Sequence, residues 1–347
     1  MQELTETQPS KRKLAPAALL AGTAAVIIVC AVFAHTTAFG TPSETPPTAG
    51  SVSEVPSVTA APDVPVSVPV ATPTVFGWGG ADSGAGADLA PLAGKEVVSI
   101  AGSMRATLFL TSDRKLFQAT GDGVTEITST VSHPSAVAAG AYFTAVLNGD
   151  GTVSAFGEGF DNAGVIPGLS GVTAIAAGGG QLLALHSDGT VSTAGGAVGG
   201  QVAVPVGLAG VTAVAVGSGN FGAIVGGHVV TWGTDAGAPP AGMAGAQIVS
   251  LVAGDRTFLA LSSDGRAFGW GAAYTPNGVL PAEISGRTDI VQVASSRTQD
   301  VLLTQSGQVL TVGDSNGSTA PTDLAPVRLI GAGAASSWAI TGPSTTK

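Results

Sequence analysis

The chain is poor in cysteine, in aromatic residues and in positive charge. Its 347 residues include one cysteine, Cys30, which excludes a disulfide framework and any metal or iron–sulfur site built from several cysteines. Lys and Arg number 13 against 23 Asp and Glu, and this net charge of −10 argues against a nucleic-acid partner. Charged residues make up only 10% while apolar residues reach 44%, so the chain as a whole is not disordered.

The first long apolar run lies at 14–34. It contains no charge and is long enough to cross a hydrocarbon layer of about 30 Å as a helix. Lys11-Arg12-Lys13 precede it, which predicts that residues 1–13 are cytoplasmic and that the remainder is exported. We therefore expect a transmembrane signal anchor that holds the protein in the cell membrane. The alternative is a signal peptide cleaved after Val32-Phe33-Ala34, which would release a secreted protein.

Residues 35–74 are predicted to form a linker. Eight of the 34 residues from Thr41 to Thr74 are proline, and most of the others are Thr, Ser, Val and Ala. This composition favours an extended polyproline II chain over helix or sheet. At about 3.1 Å per residue, the proline-rich part could place the next domain roughly 100 Å from the membrane.

The region 75–347 repeats a unit of about 38 residues. Each unit begins with an apolar strand that ends in small residues, as in Val137–Gly140 and Ile175–Gly178. We call the last residue of each such block the anchor. The seven anchors are Ser103, Gly140, Gly178, Gly217, Gly254, Ser296 and Gly333. Their spacings of 37 to 42 residues predict a repeat architecture.

Within each unit a second apolar strand follows the anchor, and a turn falls ten residues after it. Asp150-Gly151, Asp188-Gly189 and Asp264-Gly265 occupy this position. Asp-Gly between short apolar runs predicts a hairpin with a tight type I′ turn, because such a turn needs positive φ. A third strand that ends in glycine and a return segment complete the unit. No stretch has helical periodicity, so we predict that each unit folds as a small antiparallel sheet.

The two ends of the repeat region indicate how it closes. A third-strand motif, Val75–Gly79, precedes the first anchor, whereas the last unit stops after its second strand, Trp338–Thr341. The N-terminal strand can therefore complete the last unit. We predict an all-β fold, a seven-bladed β-propeller closed by this strand and preceded by one transmembrane helix. Five third-strand residues are expected to fill the space between blades: Trp78, Phe156, Trp232, Trp270 and Val312.

The repeat has a recognisable pattern. Val172–Gly178, followed by Leu185 and Asp188-Gly189, resembles the repeat of the regulator of chromosome condensation family, and Ile248–Gly271 follows the same pattern. The resemblance covers about residues 75–341 and implies a propeller. The short unit is similar to that of the compact bacterial propeller-type β-lactamase inhibitory proteins, in which the loops of one face bind an enzyme. The family's histidine, three residues after the anchor, is replaced in every copy by Ala106, Phe143, Gln181, Asn220, Thr257, Gln299 or Ser336.

Several short motifs have a structural explanation that we prefer to a chemical one. Gly217–Gly222 matches a dinucleotide-binding pattern, but no helix is predicted after it. Asn148–Thr152 supplies too few oxygen side chains for calcium. Gly313–Gly317 resembles the surroundings of a protease serine but has no histidine partner, and the four histidines lack zinc-site spacing. The sequence therefore predicts no cofactor, no metal and no enzymatic activity.

What remains is a surface formed by loops. Strands one and three of each unit run in the same direction, so the turn after each anchor and the loop after each third strand emerge on one face. This face is predicted to bind a protein or a cell-envelope component through Arg105, Tyr142, Phe160, Asp161, Asp235, Arg256, Tyr274 and Arg297. The alternatives are inhibition of an exported β-lactamase or penicillin-binding protein, and glycan binding. The propeller itself is expected to be monomeric.

Overall fold

The computed structural model describes most of the repeat region. The described residues are 73–80, 84–157, 160–195, 203–234, 236–271, 280–297, 299–313, 320–322, 324, 326–333 and 336–342. Within these ranges, no helix has the length and apolar character needed to span a membrane. The membrane span expected at 14–34 and the linker as far as residue 72 lie outside the described residues, and both remain predictions.

The described residues form seven small antiparallel sheets, which we call blades 1 to 7 in chain order. The first strand of the chain, β1 (Val75–Gly79), belongs to blade 7. Blade 1 contains β2 (Val97–Gly102), β3 (Thr107–Thr111), β4 (Leu116–Thr120) and β5 (Gly123–Glu126); blade 2 contains β6 (Pro134–Ala139), β7 (Phe143–Asn148), β8 (Val153–Gly157) and β9 (Phe160–Val165). Blade 3 contains β10 (Val172–Gly178), β11 (Gln181–His186) and β12 (Val191–Ala194); blade 4 contains β13 (Val211–Val216), β14 (Asn220–Val225) and β15 (His228–Gly233). Blade 5 contains β16 (Ile248–Ala253), β17 (Thr257–Ser262) and β18 (Ala267–Gly271); blade 6 contains β19 (Ile290–Ser295), β20 (Gln299–Thr304) and β21 (Val309–Gly313); blade 7 contains β22 (Val327–Ala332) and β23 (Ser336–Thr341) beside β1.

The expectation of three strands per unit is too simple for blades 1 and 2. In both blades the segment after the third strand pairs with that strand as a fourth, β5 on β4 and β9 on β8. The connections of the described region also contain one helical turn, α1 (Ala282–Ser285), and three 3₁₀ turns, at Ala90–Leu92, Thr128–Thr130 and Ala241–Met243. The fold is nevertheless all-β, as predicted.

The blades form a closed ring. The first strand of each blade contacts the first strand of the next, from β2 through β6, β10, β13, β16 and β19 to β22, and β22 in turn contacts β2. A parallel bridge between Gly102 and Gly333 joins blade 1 to blade 7 at this point. Small antiparallel sheets arranged in a cycle with their first strands innermost define a β-propeller.

The N-terminal strand closes this ring. All five residues of β1 pair with β23, from Val75 opposite Ile340 to Gly79 opposite Ser336. Since β22 and β23 come from the end of the repeat region, blade 7 is assembled from both ends of that region. The predicted closure is confirmed.

The small residues of the inner strands are required by close contact between blades. A Cβ atom placed on Gly102 would lie 2.5 Å from the Cα atom of Gly333, and one on Gly331 would lie 2.7 Å from Cβ of Ile100. Any side chain at these positions would overlap the neighbouring blade. The high content of alanine and glycine in the inner strands follows from this spacing.

The aromatic and aliphatic column of the third strands packs between blades, as predicted. Trp78 of blade 7 belongs to a buried cluster with Val301 and Leu303 of blade 6. Trp270 of blade 5 packs with Ala215 of blade 4 and also stacks on Phe258, its cross-strand partner, with ring centroids 5.2 Å apart. Each of these side chains therefore joins its own blade to the preceding one.

The hairpin turns differ from the type I′ geometry that the Asp-Gly pairs predict. In the turn of blade 2, Gly151 has φ of 79°, but Asp150 does not have positive φ. The N–H of Gly151 bonds to the carbonyl of Asn148, and the N–H of Asn148 bonds to the carbonyl of Thr152. This is a three-residue loop in which only the last residue is left-handed. The aspartate keeps negative φ because its carboxylate instead accepts the N–H of Thr152.

Candidate functional site

The propeller has two distinct faces. We call the one that carries the anchor turns and the ends of the third strands the loop face, and the one that carries the hairpin turns between second and third strands the hairpin face. Both ends of the described chain lie on the hairpin face, where the N–H of Thr341 donates to the carbonyl of Thr74 at 2.9 Å. The loop face is therefore opposite the point at which the upstream segment enters.

Each anchor turn holds two residues at its tip. The anchor N–H donates to the carbonyl three residues later, for example Gly140 to Phe143 at 2.8 Å and Gly254 to Thr257 at 2.9 Å. In blade 1 the anchor is Ser103, whose hydroxyl oxygen also accepts the N–H groups of Arg105 and Ala106. These bonds fix the backbone, and in blades 1, 2 and 5 the residue two positions after the anchor is exposed: Arg105, Tyr142 and Arg256.

Two of the predicted residues meet on this face. The Arg105 guanidinium carbon lies 5.4 Å from the centroid of the Tyr142 ring, a cation–π contact between blades 1 and 2. Arg105 is exposed, and Tyr142 is 39% exposed. The turns beneath them are joined through the backbone, because the N–H of Met104 donates to the carbonyl of Ala141 at 3.0 Å.

Two further predicted arginines occupy the tips of adjacent blades. Arg256 in blade 5 is exposed, and Arg297 in blade 6 is half-buried. Their turns approach closely, since a Cβ atom on Gly254 would lie 2.8 Å from the carbonyl oxygen of Ser296. Arg105, Tyr142 and Arg256 have the same position relative to their anchors, and Arg297 comes one residue earlier.

The remaining predicted residues are not part of this described group. Asp235 and Tyr274 lie outside the described residues. Phe160 and Asp161 were expected in a loop, but they belong to β9, where Phe160 pairs with Gly157. They lie in a strand rather than a loop because the segment pairs with β8; their predicted role in binding stays a prediction.

The sequence did not show that polar residues join the blades beneath the tips. The column that lacks the family's histidine is buried, and two of its members bond to the next blade. Gln299 Oε1 accepts from Trp78 Nε1 and from the Ser337 hydroxyl, each at 3.1 Å. Asn220 Nδ2 donates to the carbonyl of Thr257 at 3.1 Å. The sequence does show amide side chains at this position of the repeat. It does not show their hydrogen-bond partners, because those lie in other blades.

The hairpin face is organised by local carboxylate contacts. The N–H and hydroxyl of Thr152 donate to Asp150, and those of Thr190 donate to Asp188. These bonds hold the pKa of both carboxyls below the ordinary value, the threonine hydroxyl being the main cause. Two arginines on this face are paired with acids, Arg266 with Asp264 at 2.8 Å and Arg287 with Asp289 at 2.6 Å.

The motifs that could carry chemistry are structural where they are described. Gly217–Gly222 forms an anchor turn that leads into strand β14, and Asn148–Thr152 forms the hairpin turn of blade 2. Both ring nitrogens of His186 are within hydrogen-bond distance of Ser170 and Ser192 groups in neighbouring segments. Among the described residues, no group of three or more His, Cys, Asp or Glu side chains is arranged to hold a metal ion.

The fold and the tip geometry define a repeat propeller that presents side chains from one face. Residues 248–273 match the family model of the regulator of chromosome condensation (RCC1) repeat. This match and the fold together support an RCC1-type repeat propeller, as the repeat pattern predicted. No curated protein matches the chain in sequence.

Solved structures share the fold at low sequence identity. Prp20p from Saccharomyces cerevisiae is 17% identical with a TM-score of 0.61, over 80% of this chain and 92% of Prp20p. Yeast RCC1 (Prp20) bound to Kap60 gives the same identity and TM-score over 88% of this chain and 97% of that one. The ectodomain of the Physcomitrella patens receptor kinase CR4 is 19% identical with a TM-score of 0.51, over 66% of this chain and 64% of that one. The similarity to the β-lactamase inhibitory type stays a prediction.

Proposed function

We propose that this protein is a membrane-tethered, non-enzymatic propeller that binds a partner protein outside the cytoplasm through its loop face. The observation that carries the proposal is the contact between Arg105 and Tyr142, which holds two exposed side chains from different blades as one surface. Arginine and tyrosine are the residue types that contribute most binding energy in protein interfaces. Their turns are fixed by backbone bonds, so little conformational freedom is lost on binding.

The position of the chain ends supports a tethered role. The upstream segment joins the propeller at Pro73 and Thr74, on the hairpin face. A tether attached there leaves the loop face directed away from its origin. A linker of proline-rich composition, as predicted for 35–74, would hold the propeller at a distance from the membrane, so the loop face could reach a partner in the envelope.

The comparisons are consistent with a protein as the ligand. Yeast Prp20p has binding properties toward Gsp1p and histones, and in the second yeast structure it is bound to Kap60. Those partners belong to the yeast protein. For this chain, 75–347 carry ten basic and eighteen acidic residues, and the resulting net charge of −8 disfavours nucleic acid. A protein is therefore the class of ligand that we propose.

Affinity capture tests the proposal. The full chain, purified in mild detergent, is used to capture proteins from an envelope extract, beside the Tyr142→Ala/Arg256→Ala variant and a control, Arg266→Ala, on the hairpin face. A protein retained by the wild type and by the control but lost by the loop-face variant supports the proposal. Equal capture by all three forms, or loss only in the hairpin-face control, contradicts it. If the partner is an exported β-lactamase, its turnover in the presence of the chain then tests the inhibitor alternative.

A further inference from the structure

Three blade boundaries carry a tryptophan and an amide side chain at matching positions of the repeat. The tryptophan is the last residue but one of a third strand, and the amide begins the second strand of the preceding blade. The pairs are Trp78 with Gln299, Trp232 with Gln181 and Trp270 with Asn220. Because the blades repeat one geometry, the two side chains of a pair are expected to meet between their blades.

Between blades 6 and 7 the two side chains bond directly. Trp78 Nε1 donates to Gln299 Oε1 at 3.1 Å. The hydroxyl of Ser337, the cross-strand partner of Trp78, donates to the same oxygen. The indole N–H and the amide oxygen are therefore both satisfied within the protein.

Between blades 4 and 5 the matching side chains are buried without this bond. Trp270 is 2% exposed and Asn220 is 1% exposed. Within the part of the chain that the structure describes, neither Trp270 Nε1 nor Asn220 Oδ1 has a hydrogen-bond partner. A buried donor and a buried acceptor left unpaired both lower stability, so folded proteins satisfy nearly all such groups with protein or with ordered water.

Several contacts place Trp270 and Asn220 at the same part of the boundary. Asn220 Nδ2 donates to the carbonyl oxygen of Thr257 at 3.1 Å. Thr257 pairs across its sheet with Gly271, the residue after Trp270. The Trp270 ring lies in a buried cluster that includes Ala215 of blade 4. The unpaired donor and the unpaired acceptor therefore lie near each other between the two blades.

The two boundaries differ in the length of the amide side chain. Asparagine is one methylene shorter than glutamine, which withdraws its oxygen by about one C–C bond, roughly 1.5 Å. The amide of Asn220 is also held by Thr257 in blade 5. A water molecule can accept the indole N–H and donate to the amide oxygen, and buried waters in proteins bridge polar groups in this way.

We propose that one buried water molecule bridges Trp270 Nε1 and Asn220 Oδ1 between blades 4 and 5. The water satisfies both groups and does at this boundary what Gln299 does directly between blades 6 and 7. Asn220 ends the anchor turn of blade 4, and its amide bonds to the residue after Arg256. The water is thus part of the framework beneath the loop face of these two blades.

Nuclear magnetic resonance of the ¹⁵N-labelled full chain in mild detergent tests the inference. The chain has four tryptophans, so it gives four indole N–H signals, each assigned by its Trp→Phe variant. We expect a cross-peak between water and the Trp270 indole N–H in the wild type. Asn220→Gln restores the amide length found at position 299, so the direct bond should displace the water and the cross-peak should be lost. Gln308→Asn, an amide change at an exposed position, is the control and should retain it.

Two results would overturn the inference. Absence of the cross-peak in the wild type would show that no long-lived water lies beside the indole, and this result does not depend on any variant. Equal cross-peaks in the wild type and in Asn220→Gln would show that the amide does not hold the water, as when the signal is relayed by a nearby hydroxyl. Unchanged signals from Trp78 and Trp338 report that the variant is folded. If Asn220→Gln does not fold, Asn220→Leu removes the acceptor at similar size and should also lose the cross-peak.

Discussion

The indole N–H of Trp78 donates to Oε1 of Gln299 at 3.1 Å across the boundary between blades 7 and 6. The Ser337 hydroxyl donates to the same oxygen, also at 3.1 Å, and all three side chains are buried. Trp78 stands on the closing strand β1, while Gln299 lies 221 residues later in the chain. One amide oxygen thus fixes both ends of the repeat region to the blade that precedes them.

Replacing Gln299 should destabilise the closure. In Gln299→Ala the indole N–H and the Ser337 hydroxyl lose their acceptor in a buried site, which should lower the free energy of unfolding by about 1–3 kcal/mol for each group left unpaired. Gln308→Ala is the control, because the side chain of Gln308 is exposed. Urea unfolding of both variants measures the difference. Equal stability of the two variants would show that the shared acceptor contributes nothing.

A bulky residue at Gly77 should displace the closing strand. A Cβ atom at this position would lie 2.5 Å from the buried Trp338 ring. Gly77→Val should therefore lower stability by about 1–3 kcal/mol through overpacking. Gly242→Ala is the control, since no atom lies within 4 Å of its added methyl group. Thermal unfolding that leaves Gly77→Val as stable as the control would contradict closure by this strand.

The threonine contacts of the hairpin turns predict a dependence of stability on pH. Because the pKa values of Asp150 and Asp188 are lowered in the folded chain, their contribution is present above the unfolded value of 3.8 and is lost as the pH falls through the folded values. Thr152→Val/Thr190→Val should therefore be less stable than wild type near neutral pH. The difference in melting temperature should shrink below pH 3.8. If the difference in melting temperature stays constant down to about pH 2, the lost stability comes from packing and not from the carboxylate hydrogen bonds.

The turn geometry makes a further prediction about glycine. Gly189 has φ of 78° at the end of its three-residue loop, and Asp188 does not have positive φ. Gly189→Ala should cost about 1 kcal/mol because an L side chain is strained there. Asp188→Ala should lose only the capping bonds of an exposed carboxylate. Denaturant midpoints of the two variants give the comparison, and a greater loss in Asp188→Ala would instead favour the type I′ geometry.

The sequence predicted the architecture because the architecture is periodic. Anchors such as Gly178 and Gly217 must be small because a Cβ atom there would meet the backbone of the next blade, so their spacing is visible without a structure. The fourth strand β5 was missed because Gly123–Glu126 is short, lies at an edge and is partly exposed, and such a segment carries little pattern.

The site was less predictable for a related reason. Topology alone placed Arg105 and Tyr142 on one face, but their contact depends on the side-chain directions of two blades. The bond between Trp78 and Gln299 joins distant parts of the chain, and no local pattern indicates it. Sequence reasoning thus placed these two side chains on one face, whereas their pairing required the structure; binding through that face stays a prediction.

Site-specific photo-crosslinking tests the central claim most directly. The photoreactive residue benzoylphenylalanine replaces Tyr142 on the loop face or, in a second form, Arg266 on the hairpin face, and each full-length form is irradiated with an envelope extract. The account predicts a discrete protein adduct from position 142 and none at that mass from position 266. An adduct formed only from position 266, or none from position 142 although the variant is folded, would contradict binding through the loop face.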